Sequence, residues 1–222
     1  MDAKTLKQMV AREAIESVMR TDESDLVVGI GTGSTAECFI AELPRLRDRI
    51  QTTVSSSERS SDLLRQLGFD VQDLNNVDRV DVYVDGADEA TEAGFLIKGG
   101  GAALTREKIA AAKAKTFICI ADNSKMVPQL GTFPLPVEVI PMARTLVQAE
   151  LNKQGGDAVW REGVITDNGN IILDVLSLEI TTPKALEREI NNLTGVVCNG
   201  IFAHRPATVF LIITPSGVVR IL

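Results

Sequence analysis

With 222 residues, the chain can form one large domain or a main domain with a smaller companion. A fold of that size buries roughly 70% of its unfolded surface, so it needs no disulfide or metal staple. Its 45% hydrophobic and 24% charged residues are ordinary for a globular protein, and a net charge of −7 argues against a nucleic-acid backbone or an anionic membrane as main partner.

The opening MDAKTLKQMVAREAIESVM reads as an amphipathic helix. It lacks the apolar core and cleavage site of a signal peptide, so a cytoplasmic location is expected. No apolar run approaches the roughly 20 residues needed to cross a bilayer. Asp25 to Ile30 then predicts a short buried strand, followed by a glycine-rich turn and a helix near Thr35 to Leu43. Thr52 to Val54 predicts a second strand, and a helix through Leu63, Leu64 and Leu67 closes at Gly68. Val71 is a brief strand candidate. Val80 to Val84 is a clear strand, Ala102 to Lys115 a strong helix, and Thr116 to Ala121 another strand. Such alternation implies a doubly wound, mostly parallel sheet.

The pattern changes at the proline-punctuated Phe133-Pro134-Leu135-Pro136. Beyond it come strand 137–140, helix 143–154, strand 157–161, a hairpin turn at Asp167-Asn168-Gly169, strand 171–175, helix 183–191 and strand 195–199. This βαββαβ order predicts a smaller ferredoxin-like α+β domain. Strands at 208–214 and 218–222 are expected to rejoin the first domain. The expected division is 1–131 plus 203–222 for the α/β catalytic domain and 132–202 for the smaller one.

The side-chain inventory narrows the chemistry. Cys38, Cys119 and Cys198 are widely separated and suggest free thiols in a reducing compartment. His204 is the only histidine, and no G-x-S-x-G elbow accompanies it, which disfavours a serine hydrolase. No His pair stands at metal-ligand spacing, so no metal is expected and a general base falls to Asp or Glu.

Four polar clusters each follow a predicted strand: Gly31-Thr32-Gly33-Ser34-Thr35, Ser55-Ser56-Ser57, Asp85-Gly86-Ala87-Asp88-Glu89 and Asp122-Asn123-Ser124-Lys125. In an open parallel sheet, ligands bind outside the carboxyl ends of the strands, so all four belong at one edge. The first cluster suits an anion. Ser34 stands where a dinucleotide fingerprint needs glycine, and no lysine follows as in a P-loop, so a single phosphate monoester fits better. A plain strand-to-helix turn with Ser34 or Thr35 as N-cap is an equal alternative. Asp85, Asp88 and Glu89 form a carboxylate group suited to acid/base work or to turn chemistry. In the run from Lys98 to Lys108, Gly99, Gly100 and Gly101 expose backbone amides for a developing oxyanion, with Lys98 beside them. Glu107 falls in the first turns of the next helix, where an ordinary helix-terminal glutamate is the other reading.

These segments resemble the ribose-5-phosphate isomerases of the A type. The matching stretches are GIGTGST at 29–35, SSS at 55–57, YVDGADE at 83–89, IKGGGAALTREK at 97–108, FICIAD at 117–122, FPLPVEVIPMAR at 133–144 and TDNGN at 166–170. The resemblance implies an enzyme that interconverts D-ribose 5-phosphate and D-ribulose 5-phosphate through a cis-enediolate without a cofactor. It makes Glu107 the proton acceptor between C1 and C2, and Asp85 the carboxylate for ring opening and hydroxyl proton transfer. Asp88 falls at a sugar hydroxyl and Lys98 at the enediolate. Thr32, Gly33, Ser34, Thr35, Lys7 and Lys125 resemble the phosphate-binding set, and Gly86, Ala87 and Gly99 to Gly101 fall at substrate contacts. It implies a homodimer or homotetramer, with a small pentose phosphate as partner and neither nucleic acid nor membrane. The rival readings are a non-catalytic sugar-phosphate sensor, which needs the anion loop but no base, and a transferase using Glu107 as nucleophile.

Overall fold

The computed structural model describes residues 2–20, 23–214 and 216–220. In chain order the elements are α1 (Ala3–Met19), β1 (Leu26–Ile30), α2 (Ser34–Glu42), β2 (Ile50–Ser55), α3 (Glu58–Gln66), β3 (Val80–Asp85), β4 (Glu89–Ala90), β5 (Leu96–Ile97), α4 (Leu104–Lys113), β6 (Ala114–Asp122), β7 (Leu135–Val139), α5 (Arg144–Lys153), β8 (Asp157–Trp160), β9 (Ile171–Leu176), α6 (Pro183–Asn191), β10 (Val196–Asn199), β11 (Ile201–Phe202), β12 (Val209–Thr214) and β13 (Gly217–Arg220). They form two compact units. The first comprises residues 1–86, 109–124 and 207–222, and the second 87–108 and 125–206.

The first unit is built on a six-stranded sheet of order β13-β12-β6-β3-β1-β2, parallel except where β13 runs back along β12. Strands β1 and β12 are apolar on both faces, as a sheet buried on both sides requires. Val28, Ile30, Val82, Val84, Ile118, Ile120, Leu211 and Ile213 share one face because side chains alternate along a strand. Helix α1 lays Val10, Ala11, Ala14, Ile15 and Val18 into the same core, and Asp2 caps it by accepting the Thr5 amide at 2.7 Å. Burying each such Val or Ile contributes about 1.5–3 kcal/mol. Register then places the chemistry. Ile30 lies beside both Ser55 and Val84, and Asp85 beside Cys119, so the loops after β1, β2, β3 and β6 leave from one edge.

The second unit has the βαββαβ order β7-α5-β8-β9-α6-β10, with its four strands arranged antiparallel as β10-β7-β9-β8. Leu135, Val137, Val139, Leu173 and Val175 pack with Val147, Leu151 and Ile190 of α5 and α6. A further sheet, β11-β5-β4, has two-residue strands and no counterpart among the sequence expectations.

Several differences from the expected elements have local causes. Residues 87–108 group with the second unit rather than with 1–131. Ile97 pairs with Ile201, the Lys98 amide donates to Gly200, and the Glu89 carboxylate accepts the amides of Gly131 (2.8 Å) and Phe133. Helix α4 starts at Leu104 because Ala102 takes φ 60°, outside the helical region, and it stops at Lys113 because Ala114 already pairs with Val80. Strands β8 and β9 are joined by residues 161–170, and the expected turn at Asp167-Asn168-Gly169 stands at the far end of that connection. Within that connection Thr166 donates its amide to Asn170 and accepts that of Gly169. Val71 forms a single bridge to Thr53. The last two residues of the expected strand 218–222 lie outside the described residues.

Candidate active site

In the first unit, the turn from β1 to α2 does not use Ser34 or Thr35 as N-cap. Gly33 occupies that position at φ 102°, and no side chain caps the helix, so the first-turn amides stay open to an anion. The turn is braced from outside. The Ser60 hydroxyl donates to the Gly31 carbonyl at 2.7 Å, and the Thr32 hydroxyl meets that of Ser56 at 2.9 Å. Lys7, from α1, donates to the Ser34 hydroxyl at 2.8 Å, which puts a cation on this loop from a helix distant in sequence. In the serine cluster, Ser57 caps α3 and Ser55 donates to the Ser57 carbonyl, so those two hydroxyls are structural.

Asp85, at the end of β3, is fully buried. Its Oδ1 accepts the Gly86 amide at 2.7 Å and the Thr32 amide at 3.2 Å, and its Oδ2 accepts the Tyr83 hydroxyl at 2.6 Å. The loop after β1 comes so close that a Cβ on Gly31 would stand 1.9 Å from Asp85 Cγ. Gly31 is therefore required by crowding rather than by backbone conformation. Gly86 lies against the Thr35 side chain and the Ile120 carbonyl, where an added Cβ would find both at 3.7 Å; Ala87, half-buried, is the first residue of the second unit.

In the second unit, Lys98 and Glu107 are both 3% exposed, with Lys98 Nζ 3.3 Å from Glu107 Oε2. Glu107 stands in the first turn of α4, where the helix dipole favours negative charge. The Phe202 ring lies 5.6 Å from the Lys98 ammonium and 4.7 Å from that of Lys108, giving both an aromatic face. Lys108 itself is held by Glu187 at 2.6 Å and by the Ile201 carbonyl. Neither ion of the Lys98–Glu107 pair is bathed in water, so each needs charge compensation within the protein, part of which the other supplies.

The glycine run departs from the expectation of exposed amides. The Gly100 amide donates to Asp88 Oδ2 at 2.8 Å, and the carbonyls of Gly99 and Gly100 accept from Arg161, which Asp174 holds by two contacts. The Ala102 amide closes a turn on the Gly99 carbonyl, with Gly99 at φ 106°. Of the three glycine amides, that of Gly100 is thus spent, while those of Gly99 and Gly101 have no hydrogen-bond partner among the described residues. Glu89 is spent on Gly131 and Phe133, which takes it out of the carboxylate group. Lys125 sits in a short 3-10 turn after β6, half-buried, with no ion-pair or hydrogen-bond partner among the described residues.

Tyr83, Phe202 and Arg161 were given no role from the sequence. Tyr83 stands two residues before Asp85 on a strand, hence on the same face, and that spacing was a usable signal. Phe202 and Arg161 reach the site through pairings distant in sequence, which leave no local trace.

The family model for ribose 5-phosphate isomerase A (phosphoriboisomerase A) matches residues 52–217. The chain belongs to this family. The crystal structure of ribose 5-phosphate isomerase A from Neisseria gonorrhoeae is 43% identical, with a TM-score of 0.94, over 99% of this chain and 96% of that one. The enzyme from Methanocaldococcus jannaschii is 42% identical, with a TM-score of 0.91 and 99% of both chains covered. A D-ribose-5-phosphate isomerase solved with phospho-erythronic acid is 39% identical, at TM-score 0.92 over 99% of both chains. These matches take in the small antiparallel sheet as well as the parallel one. Both the turn from β1 to α2 and the Lys98–Glu107 pair lie within the aligned length.

Proposed function

We propose that the protein interconverts D-ribose 5-phosphate and D-ribulose 5-phosphate, with Glu107 as the base that carries the proton between C2 and C1. The observation that carries this reading is the buried Lys98–Glu107 pair, 3.3 Å apart, with Glu107 on the first turn of α4. In the aldose-to-ketose direction the Glu107 carboxylate takes the C2 proton, leaving a cis-enediolate, and returns it to C1. The C2 hydroxyl proton meanwhile passes to the C1 oxygen. Lys98 neutralises Glu107 in the resting protein and the enediolate oxygen during the reaction, so positive charge is in place where negative charge develops. Asp85, held rigidly by its donors, serves ring opening and the hydroxyl proton, and Asp88, fixed by Gly100, meets a sugar hydroxyl.

The uncapped α2 amides, Thr32 to Thr35 and Lys7 support phosphate binding, and the family resemblance adds Lys125. Because the phosphate is remote from the reacting carbons, its binding energy goes into holding C1 and C2 in register. Each step is a proton transfer, so activity in a coupled assay is expected to persist with chelator present. The deciding experiment is Glu107→Gln, expected to cut kcat by about 10²-fold or more with the fold intact, the usual scale for a positioned base. Near-normal turnover would remove Glu107 from the mechanism.

The same reading implies a homodimer or homotetramer. It is supported by Ile140, Met142 and Leu146 of the second unit, exposed at 48%, 96% and 52%; sedimentation measurements test it. A cytoplasmic location goes with the activity, and no helix among the described residues is long and apolar enough to cross a membrane.

A further inference from the structure

The buried carboxylate of Glu138 has no part in the chemistry above. Glu138 lies on β7, fully buried, on the face opposite the apolar one that packs α5 and α6. It accepts from neutral side chains only among the described residues: the hydroxyls of Thr105 and Thr166 (the latter 2.8 Å), and the amides of Asn170 at 2.9 Å and Asn168 at 3.1 Å. Those donors fill the roughly four acceptor positions of a carboxylate. The Thr166 hydroxyl in turn accepts the backbone amides of Asn168 (3.2 Å) and Asn170 (3.1 Å), which leaves its own proton for Glu138. Two consecutive residues of α4 are thereby gripped. Thr105 is bound to Glu138, and Arg106 donates to Asn168 Oδ1 at 2.9 Å and to the Asp167 carbonyl at 2.8 Å.

We propose that Glu138 and the turn 166–170 form a clasp that positions the first turn of α4, and so sets where the next residue, Glu107, stands against Lys98. Burying a carboxylate and satisfying it with several polar side chains is a poor route to stability, since apolar residues of similar volume do as well or better. What the arrangement supplies is direction: a helix end that would otherwise fray is bonded through side chains at two successive positions. A base whose proton transfer depends on sub-ångström placement needs that. Glu138, Thr105 and Asn168 are positioning residues here, acting through Glu107. The inference rests on Glu107 being the base.

The test compares T105V, T105S, E138Q and N168A with E107Q, using ribose 5-phosphate and its C2-deuterated form, with folding followed by circular dichroism. T105V and E138Q should lower kcat about 10-fold or more while KM changes less than about twofold, since placement and not phosphate binding is disturbed. The deuterium effect on kcat should rise, because proton abstraction becomes more limiting; a plain loss of folded protein leaves that ratio unchanged. T105S restores the hydroxyl and should recover most of the turnover lost in T105V. N168A lies on the exposed turn and decides the matter if a buried variant does not fold. Folded T105V and N168A with wild-type kcat and isotope effect, alongside a crippled E107Q, overturn the clasp alone. An active E107Q overturns the base assignment, and the clasp with it.

Discussion

Replacing Gly31 with alanine probes Asp85 without touching it. The new Cβ would stand 1.9 Å from Asp85 Cγ, 2.0 Å from Oδ1 and 2.4 Å from Oδ2, whereas carbon atoms in contact sit about 3.5–4.0 Å apart. Gly31 has no positive φ, so alanine brings no backbone strain of its own. Asp85 must therefore retreat by about 1.5 Å or more, the shortfall from ordinary contact. That distance breaks the bonds from Tyr83, Gly86 and Thr32. Hydrogen bonds to a charged group contribute about 1.5–3 kcal/mol each, so losing even two of these three costs about 3–6 kcal/mol before relaxation. At about 2–4 °C per kcal/mol for a chain this long, the melting temperature should drop by at least 6 °C or so. An ångström-scale displacement of an active-site group also predicts a fall in kcat/KM on the order of 10²-fold. The assay is steady-state kinetics and thermal melting on G31A, D85A and the double variant. With the Asp85 carboxyl gone the methyl has room, so G31A should add only a few tenths of a kcal/mol in that background. Wild-type behaviour of G31A, or strictly additive losses, would refute the reasoning.

Tyr83→Phe removes one donor to Asp85 and keeps the ring against Phe117, 5.3 Å between centroids; kcat should fall roughly 10-fold, the value of one such bond. A Y83F enzyme with unaltered kcat would separate that hydroxyl from the reaction. Lys125→Ala should raise KM for ribose 5-phosphate by about 10-fold with kcat nearly kept, as loss of uniform binding does; an unchanged KM counts against its phosphate role. Asp70 is held below the usual carboxylate range by the Thr52 hydroxyl and the Gln72 amide. A depressed folded-state value contributes stability above the unfolded value and loses it as pH falls through the folded one. Asp70→Asn should therefore reduce stability at neutral pH and flatten its decline on acidification below about pH 4, where a free Asp titrates; a parallel acid melt in both proteins contradicts this.

What could be read from the sequence was whatever a short window encodes. Alternating apolar runs specified the parallel strands, 3.6-residue spacing the helices, and the polar clusters after β1, β3 and β6 marked a binding edge, because parallel strands must expose their carboxyl ends together. Glu107, Lys98 and Asp85 were candidates by residue type beside glycine and helix-start signals, and only the family resemblance gave them roles. Only the tertiary structure brought Lys98 within 3.3 Å of Glu107, laid Phe202 beside the ammonium and made Gly31 the space for Asp85. It also spent Gly100 on Asp88 and Glu89 on a loop, removing two groups that composition had offered. The two-residue strands β4, β5 and β11 carry too few residues to show a period, and β5 and β11 pair across more than a hundred positions of sequence. Local propensity writes elements into the sequence; contacts between distant residues, and the burial that gives a charge its weight, exist only once the chain has closed on itself.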